Sequence, residues 1–305
     1  MLIWRDYRGY TGGHGKFHDY VTHLEAHPDW SVMVYLTPDS VRDAGNPFLR
    51  MPGRLTDVWQ PAKADALLVG GVDWQALPDV LDPRLPIVNL VQHVRHADAA
   101  APMRRFLSRR AIRICNSTAV AEAVTATGEA NGPLCVIDSA VDTEMLAQTG
   151  QLPCRVDVFI DAAKQPELGR AVASRLSDLR VHLHIKRLPF TDYVQAMASA
   201  RIVLPLPDPT EGIYLPGLNA MAMGRALVQP DCVGSRVYVR DGENALVPPR
   251  DADALADAVR RLHDDPALQA HLVAAGLRTA VRFNMARERT QFHHLLDEID
   301  ELWQA

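Results

Sequence analysis

The chain alternates short apolar runs with polar stretches patterned as helices. In the first half the runs are "MLIW", "WSVMVYLT", "ADALLVGG", "LPIVNLVQH", "AIRICNS" and "PLCVIDSAVD". Each has strand length, and most are rich in β-branched residues. Between the first two, "KFHDYVTHLEAH" carries Phe17, Val21 and Leu24 at helical spacing. "TAVAEAVTATG" predicts a helix with Ser117 or Thr118 as its N-cap and Gly128 past its end. After residue 153 the alternation resumes. Strands are expected at "VDVFIDA", "RVHLHIK", "RIVLPLP" and "ALVQPD", with helices at "PELGRAVASRL" and "TDYVQAMASA". The tail predicts three helices, in "DADALADAVRRLHDD", "PALQAHLVAAGLRTAVRF" and "ARERTQFHHLLDEIDELW". Apolar strands separated by helices predict βαβ units and parallel sheets covered on both faces.

At 147–153 the sequence "AQTGQLP" turns polar and carries Gly and Pro. A linker there divides the chain into residues 1–148 and 149–285, two Rossmann-like, doubly wound α/β domains of similar size. Such domains are expected to face one another across a cleft at the carboxyl ends of their strands. Residues 286–305 form a last helix with Phe292, Leu295, Leu296, Ile299, Leu302 and Trp303 on one stripe. The stripe suits packing back on the first domain, or a homodimer contact.

Composition narrows the class. With 305 residues the chain is long for one core and suits two domains. Apolar residues make up 48% and charged residues 23%, ordinary for a globular protein. The net charge of -5, with both signs interspersed, argues against nucleic acid as the main partner. Cys115, Cys135, Cys154 and Cys232 are widely spaced, which predicts free thiols and no zinc site. No signal peptide and no run of 18 apolar residues occurs. The expectation is a cytoplasmic protein, with peripheral membrane contact left open.

The most informative stretch is "RIVLPLPDPTEGIYLPGLNAMAMG". A strand ends at Leu206, prolines break it, and Glu211 and Gly212 precede a small-residue helix with Pro216 in its first turn. A helix start of this kind offers N–H groups and positive potential to an anion such as a phosphate. Glu211 beside it can accept hydrogen bonds from sugar hydroxyls. The plainer alternative is that Glu211 only caps the helix.

The chain then continues as "GRALVQPDCVGSRVYVRDGENALVPP", and the combination resembles a known family. The second half is similar to the nucleotide-binding domain of GT-B glycosyltransferases, and in particular to the retaining glycosyltransferase 4 family, also called glycosyl transferases group 1. The matching positions are Glu211, Gly212, Leu215, Pro216, Leu218, Ala220, Met221, Ala222 and Gly224, then Asp241, Gly242, Glu243, Asn244, Leu246, Val247 and Pro248. The resemblance is strong over about 190–270 and diffuse elsewhere. It implies that Glu211 contacts the donor sugar and that backbone amides near Tyr214 and Leu215 hold the diphosphate. The family's ribose-binding acid falls on Asn219, and Tyr214 replaces a glycine. The family's basic loop after the first strand of this domain corresponds to "VFIDAAKQPELG", where Lys164 matches the lysine and the arginine is absent. Lys164 would neutralise the leaving diphosphate, or be an exposed lysine at a helix start. Lys186 and Arg187, in "HIKRLPF", are further candidates for the missing cation or for a place beside the base.

In the first domain "GYTGGHGKFHDYV" fits neither phosphate motif. A Walker A loop needs glycine where Tyr10 stands and Ser or Thr where Phe17 stands, and "GGHG" has the wrong spacing for a dinucleotide fingerprint. A glycine-rich turn remains, and the resemblance makes Gly12, Gly13 and His14 cleft candidates. The family also places a histidine at the end of the "IVNLVQH" strand, here His93, beside the transferred sugar; His96 is a weaker candidate. "MRRFLSRR" reads as a basic helical face, solvated or facing an anionic lipid-linked acceptor.

The expected function is transfer of a sugar from a nucleotide-sugar donor to an acceptor hydroxyl on a glycan, a lipid-linked sugar or a small molecule. The resemblance implies retention of configuration, no cofactor beyond the donor substrate and no metal. His93, Glu211 and Lys164 are the catalytic candidates; Gly13, His14, Lys164, Arg187, Glu211, Gly212, Tyr214, Leu215 and Asn219 are the donor-binding ones. Two other classes fit the same sequence: a nucleotide-sugar epimerase, and a non-catalytic binding subunit.

Overall fold

The apolar runs of the first half become seven strands: β1 (Leu2–Arg5), β2 (Met33–Leu36), β3 (Leu55–Thr56), β4 (Leu67–Gly70), β5 (Ile87–Val91), β6 (Ile112–Cys115) and β7 (Leu134–Val136). They form one sheet in the order β3-β2-β1-β4-β5-β6-β7. Every pairing is parallel; Ile3, for example, lies between Val34 and Leu68. The computed structural model describes residues 1–305 and divides into two compact units. Unit 1 is Met1–Ser139 with Glu288–Ala305, and unit 2 is Ala140–Arg287.

In unit 1 helix α1 (Gly12–Glu25) lays Phe17, Val21 and Leu24 on the sheet. Helix α2 (Thr118–Thr125) starts at its Ser117 cap. Ile3, Leu68, Val88 and Ile112 form the sheet's contribution to the same core, which Phe292, Leu295 and Leu296 complete. Full burial of a side chain of this kind stabilises by roughly 1.5–3 kcal/mol. Helix α9 (Met285–Asp297) therefore belongs to unit 1 although unit 2 precedes it in sequence.

Unit 2 starts with helix α3 (Thr143–Thr149), followed by β8 (Val156–Asp161), α4 (Pro166–Arg175), β9 (Val181–His184), α5 (Phe190–Ala198), β10 (Ala200–Pro205), α6 (Leu215–Ala222) and β11 (Ala226–Leu227). Helices α7 (Ala252–Asp264) and α8 (Pro266–Ala280) close it. Its four parallel strands run β11-β10-β8-β9. Side chains alternate across the sheet. Val158, Ile160, Ile202 and Leu204 face a core with Val172, Leu255 and Val259, whereas Phe159 and Val203 face Met197, Leu218 and Met221. Both faces are covered, which is why these strands read as unbroken apolar runs.

Four segments differ from the sequence expectation. The linker expected at 147–153 lies inside unit 2. Val141 pairs with Asn284, and Arg225 donates to the carbonyls of Gly150 and Leu152, so this segment is wound into the unit. The glycines before "KFHDYV" are the first turn of α1, not a turn ahead of it. Thr11 caps that helix by accepting the His14 N–H at 3.2 Å. The glycines allow close packing, since a Cβ on Gly15 would lie 2.6 Å from the Tyr10 hydroxyl. "MRRFLSRR" makes only a short 3-10 turn at Arg104–Phe106, and its arginines are largely engaged. Arg104 pairs with Glu129, Arg109 donates to the Pro78 carbonyl and Arg110 to that of Trp303. The expected last helix breaks at Glu298 into α9 and α10 (Ile299–Gln304).

A buried charge cluster ties α9 to α1. Lys16 Nζ lies 2.7 Å from Glu288 and 2.8 Å from Asp19, and His23 Nε2 is 3.0 Å from Glu288. Burial opposes the charge on Glu288, yet Lys16 and His23 hold its carboxyl below the usual range. Glu288→Ala would remove one of the two acidic partners of the buried Lys16 and the carboxylate partner of His23. The expected loss of stability is about 3–5 kcal/mol, read from urea denaturation, whereas Asp82→Ala at the exposed pair with Arg84 should leave the urea midpoint essentially unchanged.

Candidate functional site

Open parallel sheets bind ligands at the carboxyl ends of neighbouring strands whose connections run to opposite sides. In unit 2 that point lies between β8 and β10: from β8 the chain crosses to β9 on one side, and from β10 to β11 on the other. The loop leaving β8 carries Lys164, and the loop leaving β10 carries Asp208 and Glu211. These loops meet. Lys164 Nζ pairs with a Glu211 carboxylate oxygen, and Gln165 Nε2 donates to Asp208 at 2.7 Å. Lys164 Nζ also lies 5.2 Å from the Tyr214 ring centroid. The Glu211 side chain is 10% exposed and that of Lys164 42%, so the pair has one buried and one open end.

Glu211 is not the cap of α6. That position belongs to Tyr214, whose side chain makes no capping bond. With Pro216 in the first turn, the Leu215 and Gly217 amides remain as donors without a backbone acceptor. The Glu211 loop is clamped from below. Gly234 N–H donates to the Glu211 carbonyl at 3.1 Å, and a Cβ on Gly234 would sit 0.9 Å from the Gly212 carbonyl oxygen. Only glycine allows that approach. Asn219 lies further along α6 and is buried. Lys186 and Arg187 are exposed beyond β9, the edge strand, and neither pairs with Glu211.

The sequence reading missed Asp161. This acid ends β8 three residues before Lys164 and is buried. Tyr193 Oη donates to it at 2.8 Å, and His184 Nε2 lies 3.9 Å away. Burial pushes the Asp161 carboxyl up and the His184 imidazole down. The available signal was an acid closing an otherwise apolar strand, "VFID".

The other candidates lie in unit 1. Its sheet reverses between β1 and β4. A Cβ on Gly13 would meet Gln92 Oε1 at 2.9 Å, so the first turn of α1 packs on the segment after β5. The His14 ring lies 5.0 Å from that of Tyr7. His93 caps the turn at Val94–Ala97, its Nδ1 accepting the Arg95 N–H at 3.0 Å. His96 is buried, and burial, with Arg95 and Arg113 nearby, lowers it to about 4. No group of three His, Cys, Asp or Glu side chains is placed to hold a metal ion, and no helix is long and apolar enough to cross a membrane.

Two Rossmann-like units, with phosphate-ready amides beside an acid and a base in the second, define the GT-B class of fold. Residues 144–265, all within unit 2, match the family described as glycosyl transferases group 1. A curated relative, the alpha-D-kanosaminyltransferase of Streptomyces kanamyceticus, is 29% identical over 149 residues, 48% of this chain and 38% of the relative. The chain thus matches well under half of that protein's length. HepE of Anabaena, solved with UDP, superposes with a TM-score of 0.69 at 16% identity, over 97% of this chain and 99% of HepE. Sucrose-phosphate synthase of Thermosynechococcus elongatus gives 0.70 at 14% identity, over 97% and 98%. At such identities the likeness is one of fold.

The depressed His96 value sets a pH dependence. An unfolded histidine titrates near 6.5, so between about 6.5 and about 4 the unfolded state binds the extra proton. His96 therefore contributes stability that is complete above about 6.5 and is lost as pH falls toward about 4. His96→Gln should flatten the fall in unfolding free energy between those values, measured by denaturant titration at a series of pH values.

Proposed function

We propose that this chain is a glycosyltransferase that moves a sugar from a nucleotide-sugar donor to an acceptor hydroxyl. The observation that carries the reading is the Lys164–Glu211 pair at the carboxyl ends of β8 and β10, beside the uncapped start of α6. A diphosphate suits the Leu215 and Gly217 amides and Lys164. Each is a donor or a cation, and Lys164 has Glu211 as its anionic partner. On donor binding the phosphate replaces Glu211 as the partner of Lys164. The freed carboxylate then accepts hydroxyl hydrogen bonds from the sugar.

The chemistry asked of the protein is chiefly electrostatic. As the glycosidic bond to phosphate breaks, negative charge grows on the leaving diphosphate. Lys164 and the α6 amides stabilise that charge from fixed positions. Glu211 orients the sugar, which lowers the barrier by positioning. In the retaining course the leaving phosphate takes the acceptor's proton, so no protein nucleophile is needed. Asn219 stands where the family has its ribose-binding acid and Tyr214 where it has a glycine, so this chain departs from the family's donor contacts at both positions. The UDP complex of HepE and the sugar-transferring activity in the name of the kanosaminyltransferase support the donor class.

Glu211→Ala should lower kcat/KM by at least about 100-fold. Its half-exposed partner Lys164 limits the loss of stability to about 1 kcal/mol. Calorimetric titration with UDP-, GDP- and ADP-sugars identifies the donor, and product analysis detects transfer. A free epimerised sugar nucleotide would instead select the epimerase, and binding of none of the three would leave a non-catalytic subunit.

A further inference from the structure

Behind the start of α6 lies a buried polar chain that the donor reading does not use. Gln229 Nε2 donates to Ser235 Oγ at 2.7 Å, Ser235 Oγ to Tyr238 Oη at 3.3 Å, and Tyr238 Oη to the Tyr214 carbonyl at 2.6 Å. Gln229, Ser235 and Tyr238 are all at most 2% exposed. Gly217 makes room for the chain, since a Cβ there would lie 2.4 Å from both Gln229 Oε1 and Tyr238 Oη. An apolar core would have filled this volume with less demand on geometry, so the network has a task besides packing.

That task is set by which carbonyl receives the last bond. The Tyr214 C=O and the Leu215 N–H belong to one peptide group. Donation to the oxygen draws electron density through the amide and strengthens its N–H as a donor. The same bond fixes the plane of the peptide, and so the direction in which the Leu215 N–H points. We propose that Tyr238 is a positioning residue for the donor diphosphate, its hydroxyl orienting and polarising the Tyr214–Leu215 peptide that opens α6. Burial pushes the Tyr238 phenol far up. It therefore stays protonated, and a donor, at every working pH.

The inference rests on the donor reading, and its test separates the two. Binding of UDP and uridine is measured by calorimetry for the wild type and Tyr238→Phe, with GDP and guanosine, and ADP and adenosine, in parallel. Tyr238→Phe keeps the ring and removes the hydroxyl. The nucleoside diphosphate that the wild type binds should weaken by about 3- to 10-fold, the worth of one hydrogen bond, while its nucleoside is unchanged. Equal weakening of both, or of neither, in a folded variant overturns the proposal. If Tyr238→Phe loses its cooperative thermal transition, Ser235→Ala takes its place. Ser235 lines a pocket of about 140 Å3, so its truncation opens no sealed void. About a 2-fold selective loss is then expected, from the cooperative part alone, and no selective loss overturns the proposal. A wild type that binds none of the three diphosphates brings down the donor reading, and this inference with it.

Discussion

A parallel sheet sends every strand's exit to the same edge, and the exits diverge only where the chain's order reverses. That constraint governs unit 2. Its strand order puts the reversal between β8 and β10, so the loops after Asp161 and Pro205 start side by side and then part, leaving a crevice whose walls they form. Lys164 and Glu211 stand 47 residues apart in sequence and form an ion pair because of it. Move the reversal by one strand and the same residues would leave the sheet at separate places.

The surroundings of the pair are built to hold it in one geometry. The Gly212–Gly234 contact and the Gly234 N–H on the Glu211 carbonyl fix the acidic loop from below. Tyr238 holds the peptide where α6 begins. Lys164 keeps an open end beside the α6 amides while its partner Glu211 is buried. On the function proposed above, an anionic ligand would take its place at that open end, which a wholly buried pair could not offer.

Unit 1 uses buried charge differently. Lys16, Asp19, His23 and Glu288 are bonded to one another in a buried cluster, and they join α1 to the helix that returns from unit 2. The network holds together parts of the chain 272 residues apart. A hydrophobic contact alone would allow α9 to slide along its stripe. Charges that must meet partners in a buried place allow one register, which is a use of buried ion pairs seen elsewhere in helix packing.

Much of this was legible in the sequence. Unbroken apolar runs between helices require parallel strands covered on both sides, since an exposed face would have shown alternation. The stretch around Glu211 carried the resemblance to glycosyl transferases group 1 because backbone approach, helix start and acid each demand a particular residue at a particular spacing. Local chemistry also fixed the Ser117 cap of α2 and the left-handed glycine, Gly128, just past its end. Other features depended on partners distant in sequence. "AQTGQLP" has the composition of a linker, and it is the close approach of Gly150 to Met223 and the Arg225 bonds to the Gly150 and Leu152 carbonyls that draw the segment into unit 2. The resemblance made Lys164 a candidate, with an exposed lysine at a helix start as the alternative, but that it meets Glu211 follows only from β8 and β10 lying side by side. Asp161 became visible as part of the site only once Tyr193 and His184 were beside it. Patterning comes from each residue's own preference for water or core, so the sequence alone determines strands, helices and the family resemblance; which charges meet depends on strand order and burial, and those exist only in the folded chain.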